Sequence, residues 1–361
     1  MNRRQILIGG GAVAIGGASI AGVSLLQMGT MGRYDEGVAA TRAALAANPA
    51  IPELIRFATL AANGHNTQPW RFRVGPQGVD ILPDLTRRTP VVDPDDHHLF
   101  ASLGCAAENL MLAAAARGST GDLGFQNDIV RVGLERERAA RPSELFDAIV
   151  RRQSTRADYD GRAVNLADLH RLATAAQVPG VDLVLMTERS QIDRISDLVV
   201  EGNSAQMADS AFMRELEHWL RFNPREALAT GDGLFSATSG SPTLPTWLGP
   251  LMFKRLVSAQ AENEKYARQL RSSAGIAVFL SQRADKHGWV SAGRACQRFA
   301  LQATALGLKH AFINQPVEVA ALRSDLAALV GAPGRRPDIV MRFGYGPTLP
   351  FSARRPAQIV A

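Results

Sequence analysis

The sequence predicts an α+β fold: two related lobes around paired central helices, with an inserted helical lid. Three observations predict it. First, residues 102–118 (SLGCAAENLMLAAAARG) and 291–307 (SAGRACQRFALQATALG) align at an offset of 189, so Leu112 matches Leu301, Ala114 matches Ala303 and Gly118 matches Gly307. Both read as helices rich in small residues and closed by a C′ glycine. Second, a strand-like apolar run follows each copy, at 129–132 and 339–343. Third, residues 195–272 match nothing around the first copy. A shared alanine-rich composition is the competing explanation for the likeness of the two helices. The division expected is an export signal at 1–32, a degenerate first lobe at 33–140, and a second lobe at 141–361 with the insertion at about 195–272.

The elements follow in order. Asn2-Arg3-Arg4-Gln5 precedes an apolar, glycine-rich run from Ile6 to about Gln27. Adjacent arginines before such a run read as a twin-arginine export signal, long enough to stay as a membrane tether. Gly9-Gly10-Gly11-Ala12-Val13-Ala14 fits a dinucleotide fingerprint, but only Ile6 to Ile8 stand where a buried strand is needed, so it is set aside. A helix is expected over 52–62 and a strand over 70–74, with Trp70, Phe72 and Val74 on one face and Arg71 and Arg73 on the other. Between them lies a loop of amides and hydroxyls, HNTQPW at 65–70, in which Pro69 should hold Gln68 extended. Uncharged donors and acceptors at such a junction suit the polar edge of a flat heterocycle, although an Asn63-Gly64 turn that merely closes the helix is an equal reading. Asp93-Pro94-Asp95-Asp96-His97-His98 could bind a metal, but a polar turn capping the next helix explains it as well, and no metal is expected. A short helix at 143–150 leads into RRQSTR at 151–156, and strands are expected at 181–186 and 275–280. The insertion carries helical patterns around 212–222 and 256–270, separated by a Gly/Ser/Pro-rich loop at 231–246. Such a hairpin could be a lid over a site or a packing embellishment.

Composition narrows the function. At 361 residues the chain has ample length for a core, and 46% hydrophobic with 20% charged residues is ordinary for a globular protein. The net charge of +6 would suggest nucleic acid, but only Lys254, Lys265, Lys286 and Lys309 among the 40 basic residues are lysines, and the arginines are scattered. No basic run interleaved with aromatics is present, so nucleic acid is not expected as a partner. Cys105 and Cys296 are the only thiols, both in apolar helical segments where a buried free thiol is expected. Arg152, Ser154 and Arg156 make a phosphate-binding set, and Ser352 with Arg354 makes a second. No nucleophile–base triad is apparent, so no catalytic side chain is assigned.

RRQSTR at 151–156, ALGLKH at 305–310, INQPVE at 313–318, and MRFGYG with ARRP at 341–356, joined by HNTQPWRF at 65–72, occur in the order of the nitroreductase-like FMN-binding family. The chain resembles its Acg-type branch, understood as a fused pseudo-dimer, over roughly residues 50–360. The resemblance implies a nitroreductase-like fold and one FMN per chain. It assigns Arg152, Gln153, Ser154 and Arg156 to the phosphate and ribityl chain, with Ser352 and Arg354 as the other phosphate contact. Gly64, His65 and Asn66 would line the flavin ring. Asn314 and Gln315 fall where the family has Glu-Gly beside flavin N5, a departure that loses a carboxylate and glycine's freedom. The implied activity is an exported, periplasmic oxidoreductase that reduces nitro compounds, quinones or similar small-molecule acceptors through the flavin. The alternative is a non-catalytic FMN store with a covered ring. The fused lobes imply a monomer whose partners are the acceptor and the twin-arginine export machinery.

Overall fold

The computed structural model describes residues 27–136 and 139–360. The arginine pair and most of the apolar run read as an export signal lie outside the described residues.

Among the described residues two main sheets form, beside two short two-stranded ribbons. The first contains β1 (Trp70–Gly75), β2 (Gly78–Pro83), β3 (Leu123–Gln126) and β4 (Ile129–Gly133). The second contains β5 (Val181–Met186), β6 (Gly275–Ser281), β7 (Lys309–Phe312) and β8 (Ile339–Gly344). A last strand, β9 (Ile359–Val360), crosses back to the first sheet and pairs parallel with β1, Phe72 opposite Ile359. The orders are β9-β1-β2-β4-β3 and β7-β8-β6-β5, antiparallel apart from β9.

The two sheets are covered differently, as their sequences require. In the first, Trp70, Phe72, Val79, Ile81, Val130 and Val132 face the core, while Arg73 and Arg131 meet Asp80 on the outer face. Val74 shares the inner parity but is 39% exposed, because the strand runs out past the core there. In the second, every residue of β6 and β8 is buried, so apolar residues fill most of both faces, with Arg342 buried among them.

Helices supply the cover. Before the first sheet lie α1 (Met31–Thr41) and α2 (Ile51–Thr59); α3 (His97–Ala115) crosses its inner face. Pro52 and Glu53 suit the first turn of α2, which buries Leu54, Ile55, Phe57 and Ala58. The insertion region holds α4 (Arg189–Ala208), α5 (Ser210–Trp219), α6 (Pro224–Thr230), α7 (Gly249–Leu256) and α8 (Ala259–Arg271). Ile192, Ile195 and Val199 of α4 and Leu270 of α8 pack on one face of the second sheet, against Ile276, Val278 and Val340. On its other face α9 (Lys286–Ala305) places Phe299 and Ala303 against Phe279, Met341 and Phe343. The helix expected over 256–270 begins at Ala259, because the Ser258 hydroxyl caps α8 there, and Leu256 instead ends α7.

The central helices α3 and α9 pack against each other, and glycines set their closeness. A Cβ at Gly104 would lie 2.0 Å from the Val290 carbonyl oxygen, and one at Gly293 would lie 1.9 Å from that of Ala101. The offset of 189 relates Gly104 to Gly293 and Ala101 to Val290, so these are two copies of one contact about a local twofold. Gly118 and Gly307, also related by the offset, both take positive φ, 78° and 74°, as helix-ending glycines do. A short helix, α10 (Gln315–Glu318), follows β7 and closes the set used below.

Candidate functional site

Three stretches distant in sequence meet at the C-terminal end of α2: the polar loop 63–68, the arginine motif 151–156 and the tail 352–355. The last turn of a helix presents unpaired carbonyls and partial negative charge, which attract cations. Arg354 donates from Nε to the Thr59 carbonyl (2.7 Å) and from Nη2 to that of Ala61 (3.2 Å). Arg152 donates from Nη2 to Leu60 (3.0 Å). Arg42 joins them, donating to the Val150 carbonyl (2.8 Å) and stacking 3.9 Å over the Phe351 ring. No sequence motif marks Arg42.

The three guanidinium groups are buried and, among the described residues, bond no carboxylate. Burial lowers the Arg152 pKa to about 10, and burial with the adjacent Arg152 charge lowers Arg354 to about 9. Arg152 Nε and Nη1, Arg42 Nε and both ring nitrogens of His310 have no hydrogen-bond partner. Burial, then the charge of Arg152, pushes the His310 pKa well down. Uncompensated buried cations with spare donors are a standing demand for an anion.

The polar loop is built unlike its sequence suggests. His65, Asn66 and Gln68 all adopt left-handed φ (45°, 53° and 53°). Gln68 is therefore not extended, because side-chain bonds override the push from Pro69. Its amide donates to Asn63 Oδ1 (2.8 Å), its Nε2 to the Gly231 carbonyl (2.8 Å), and its Oε1 accepts from Arg355 N (2.9 Å). Asn66 donates to the carbonyls of Gly233 (3.1 Å) and Ala353 (3.2 Å) and accepts from Arg354 Nη1 (2.7 Å). Its side chain is thus spent on joining loop, insertion and tail. Such over-determination keeps a costly backbone in place.

A cavity of about 440 Å³ lies beyond Ala62, between this junction and the insertion. Of the residues singled out in the sequence, Gly64, His65, Arg156, Asn314 and Gln315 line it. Asn66, Arg152, Gln153, Ser154, Ser352 and Arg354 do not. Gln153 is held by Leu349, donating to its carbonyl (2.8 Å) and accepting from its amide (3.0 Å). Ser154 pairs by a bridge with His310 behind the wall, and the Ser352 carbonyl accepts from Arg354 (3.4 Å).

The cavity wall carries polar groups with capacity to spare. The Arg156 guanidinium bonds no carboxylate, and desolvation lowers its pKa. Gln315 is buried with Oε1 unpartnered, its Cβ pressed near the backbone of Gly202, where only a glycine fits. Asn314 is fixed by accepting from Val340 N (2.8 Å). Burial, then the nearby Arg156, lowers the His65 pKa to about 4, so its ring is neutral at pH 7. Sequence reading missed Glu318, one turn beyond Gln315: it lines the cavity, accepts from Gln206 Nε2 (2.6 Å), and burial raises its pKa. The Asp93–His98 run is a capping turn: Asp93 accepts from the amides of His98 (3.0 Å) and Leu99 (2.9 Å). Among the described residues no cluster with metal-ligand geometry occurs.

The insertion is fastened to the first lobe. Glu215 accepts from the amides of Val91 and Val92, both at 3.0 Å. Asp232 sits between Arg87 and Arg221, and Gly233 N donates to the Asn66 carbonyl (3.2 Å).

No family model matches the chain. A Mycobacterium tuberculosis protein named "Putative NAD(P)H nitroreductase Rv3131" is 26% identical over 321 residues, 84% of this chain and 88% of the relative. Acg of the same organism, named as a nitroreductase of the same kind, is 23% identical over 333 residues, 85% of this chain and 93% of the relative. Among solved structures, an FMN-bound nitroreductase from Desulfitobacterium hafniense is 15% identical, covering 60% of this chain and 94% of its own, at a TM-score of 0.37. The FMN-dependent nitroreductase NfnB of Mycobacterium smegmatis, solved with NADPH, is 14% identical, covering 56% and 87%, also at 0.37. The two relatives, each matched over more than four-fifths of both chains, agree with the ordered motifs and the paired helices: the chain is similar to nitroreductase-like proteins, Acg among them.

Proposed function

We propose that this protein is an FMN-binding oxidoreductase that reduces nitro compounds, quinones or similar acceptors. The observation that carries the reading is the pairing of a ligand-sized cavity with uncompensated arginines along and behind one wall. A volume of about 440 Å³ falls within the usual range for small-molecule sites, roughly 300–1,000 Å³. Orphaned donors on Arg152 and Arg42 fit a phosphate, and the loop Asn63–His65 with Gln315 and Arg156 fits the polar edge of a ring. FMN would supply hydride and single-electron chemistry.

The protein's own part is positioning and proton supply. Arg156 would favour negative charge at the pyrimidine edge, and Gln315 would present its amide to the reacting face. Asn314, locked to Val340, fixes that approach. Glu318, kept protonated by burial to a higher pH than an ordinary carboxyl, can release a proton into the cavity. The insertion covers the cavity opposite these groups.

The N-terminal sequence supports export by the twin-arginine route, with retention at the membrane, and the internal pairing of lobes supports a monomer. A second reading, FMN storage, is favoured by the fastening of the insertion over the cavity at Glu215, Asp232 and Gly233. One experiment separates them. Purified full-length protein should be yellow; addition of NAD(P)H, then of a nitroaromatic or quinone, should bleach and restore the flavin band. A yellow protein that chemical reductants bleach but neither pyridine nucleotide nor acceptor affects would be a store. A colourless protein that takes up no FMN would end both readings.

A further inference from the structure

The cavity has two unlike walls. The body contributes His65, Asp93, His98, Arg156, Gln315 and Glu318, a polar and titratable surface. The insertion contributes Phe212, Leu216, Leu220, Leu244, Met252 and Phe253. These six are half-buried, and none belongs to any of the four hydrophobic clusters of the described residues. A helix pair inserted only for packing would turn such side chains into one another or onto the body. Here they surround a void, so their burial is incomplete until something apolar enters.

The apolar wall also continues to the surface. Leu256 lines the cavity yet is 66% exposed, and Leu251 on the same helix and Trp247 just before it are 56% and 60% exposed. Lys254, paired with Glu217 (3.1 Å), and Arg255 stand among them. The N-terminal apolar run enters the described chain at this same part of the molecule: Arg225 N, in α6, donates to the Met28 carbonyl (2.8 Å), and Tyr34 packs 4.7 Å from Phe235, which lines the cavity.

We propose that the insertion forms a binding site for the hydrocarbon chain of an amphiphilic acceptor: a ring that lies against the polar wall and a prenyl-type tail that runs along α5 and α7 to the mouth at Leu256. The substrate class is thus a lipid-borne quinone rather than a small free nitro compound. This rests on reading the cavity as a redox site; the tail subsite is the addition. The tail replaces the missing packing partners of Phe212, Leu216, Met252 and Phe253. Arg255 at the mouth suits an entrance held against an anionic membrane surface.

The test uses purified full-length protein and two probes, a 2-methylnaphthoquinone without a side chain and the same ring with a short prenyl chain. Binding is followed by titration calorimetry, and FMN content is measured on each preparation. The prenylated ring should bind at least ~10-fold tighter, since each buried methylene contributes about 0.8 kcal/mol. In M252E and in F253S that advantage should fall to within about twofold, with affinity for the bare ring and FMN content unchanged. Equal binding of the two probes by the unaltered protein overturns the proposal, as does a tail advantage that survives both substitutions. Either result leaves the flavin reading intact if the protein is yellow. A colourless protein that still prefers the tailed ring would remove the flavin reading and keep the subsite.

Discussion

The two central helices descend to the same contact and then part. At Gly104 and Gly293 the offset of 189 holds in structure, each glycine under the other helix's carbonyl. Beyond that contact the equivalents differ: Cys105 corresponds to Arg294, and one turn on Glu108 corresponds to Gln297 and Asn109 to Arg298. In a symmetric dimer each of these positions would meet copies of the same residue types. In this chain they are complementary. Glu108 bonds Arg294 (3.0 Å) and Arg298 (2.7 Å), and Gln297 Nε2 donates to Asn109 Oδ1 (2.7 Å). Asn109 and Gln297 then reach Phe57 and Ala62, tying both helices to the walls of the site. Joining two lobes in one chain permits an interface to specialise, and the specialised side is the one that carries the cavity.

The comparison can be broken hardest at the shared glycines. Gly293→Val places a side chain against the Ala101 backbone, which cannot move away cheaply, and should cost about 3 kcal/mol or more in urea unfolding. Gly124→Ala, where an added Cβ meets nothing within 4 Å, is the control and should change stability little. If Gly293→Val were as stable as the control, the helix contact would not be what holds the lobes together.

The asymmetric pair comes next. Glu108 is 2% exposed, with Arg294 and Arg298 at 20% and 27%. Glu108→Ala removes the carboxylate between two cations and should destabilise by roughly 2–4 kcal/mol, less than for a fully dry pair because both arginines reach water. Adding Arg294→Ala to it should cost less than the sum of the two single changes, a coupling that a double-mutant cycle reads directly.

A smaller effect is expected at Asn66. Asn66→Ala deletes bonds to Gly233, Ala353 and Arg354. It should lower stability by about 2 kcal/mol and loosen FMN retention, because loop and tail lose their common post. Unchanged retention would show that the left-handed loop holds without it.

Local signals made much of this legible. The repeated helices, the strands near 129–132, 181–186, 275–280 and 339–343, and the capping role of Asp93 follow from periodicity and caps. The meeting of loop, arginine motif and tail was also legible, through motifs in order. The use of Asn66 and Gln68 was not, because their partners Gly231 and Gly233 are backbone carbonyls more than 160 positions away. Backbone partners leave no trace in side-chain identity. Arg42 was hidden for a related reason: its role is set by carbonyls at Val150 and Arg152 and by the Phe351 face. The return of the tail to the first sheet as β9 rests on two residues, too short a run for any alternation to be seen.

The smallest effect separates the insertion from the body. Asp232 lies 9% exposed between Arg87 and Arg221. Burial alone would raise its pKa, but hydrogen bonds from Arg221 and Arg87 outweigh burial, and the value falls below the ordinary carboxylate range. A carboxyl depressed by folding stabilises above its unfolded pKa, near 4, and that contribution fades as pH falls through the folded value. The fastening of the insertion should therefore be constant from about pH 5 upward and weaken below about pH 4. Hydrogen exchange of residues 209–258 should speed up in acid before the central helices respond. Asp232→Asn should show the faster exchange already at pH 7, by about 1 kcal/mol of local opening, and should lose most of the acid dependence in that segment. If the substitution instead lowered global stability with no selective opening of 209–258, Asp232 would belong to the common core, and insertion and body would be one cooperative unit.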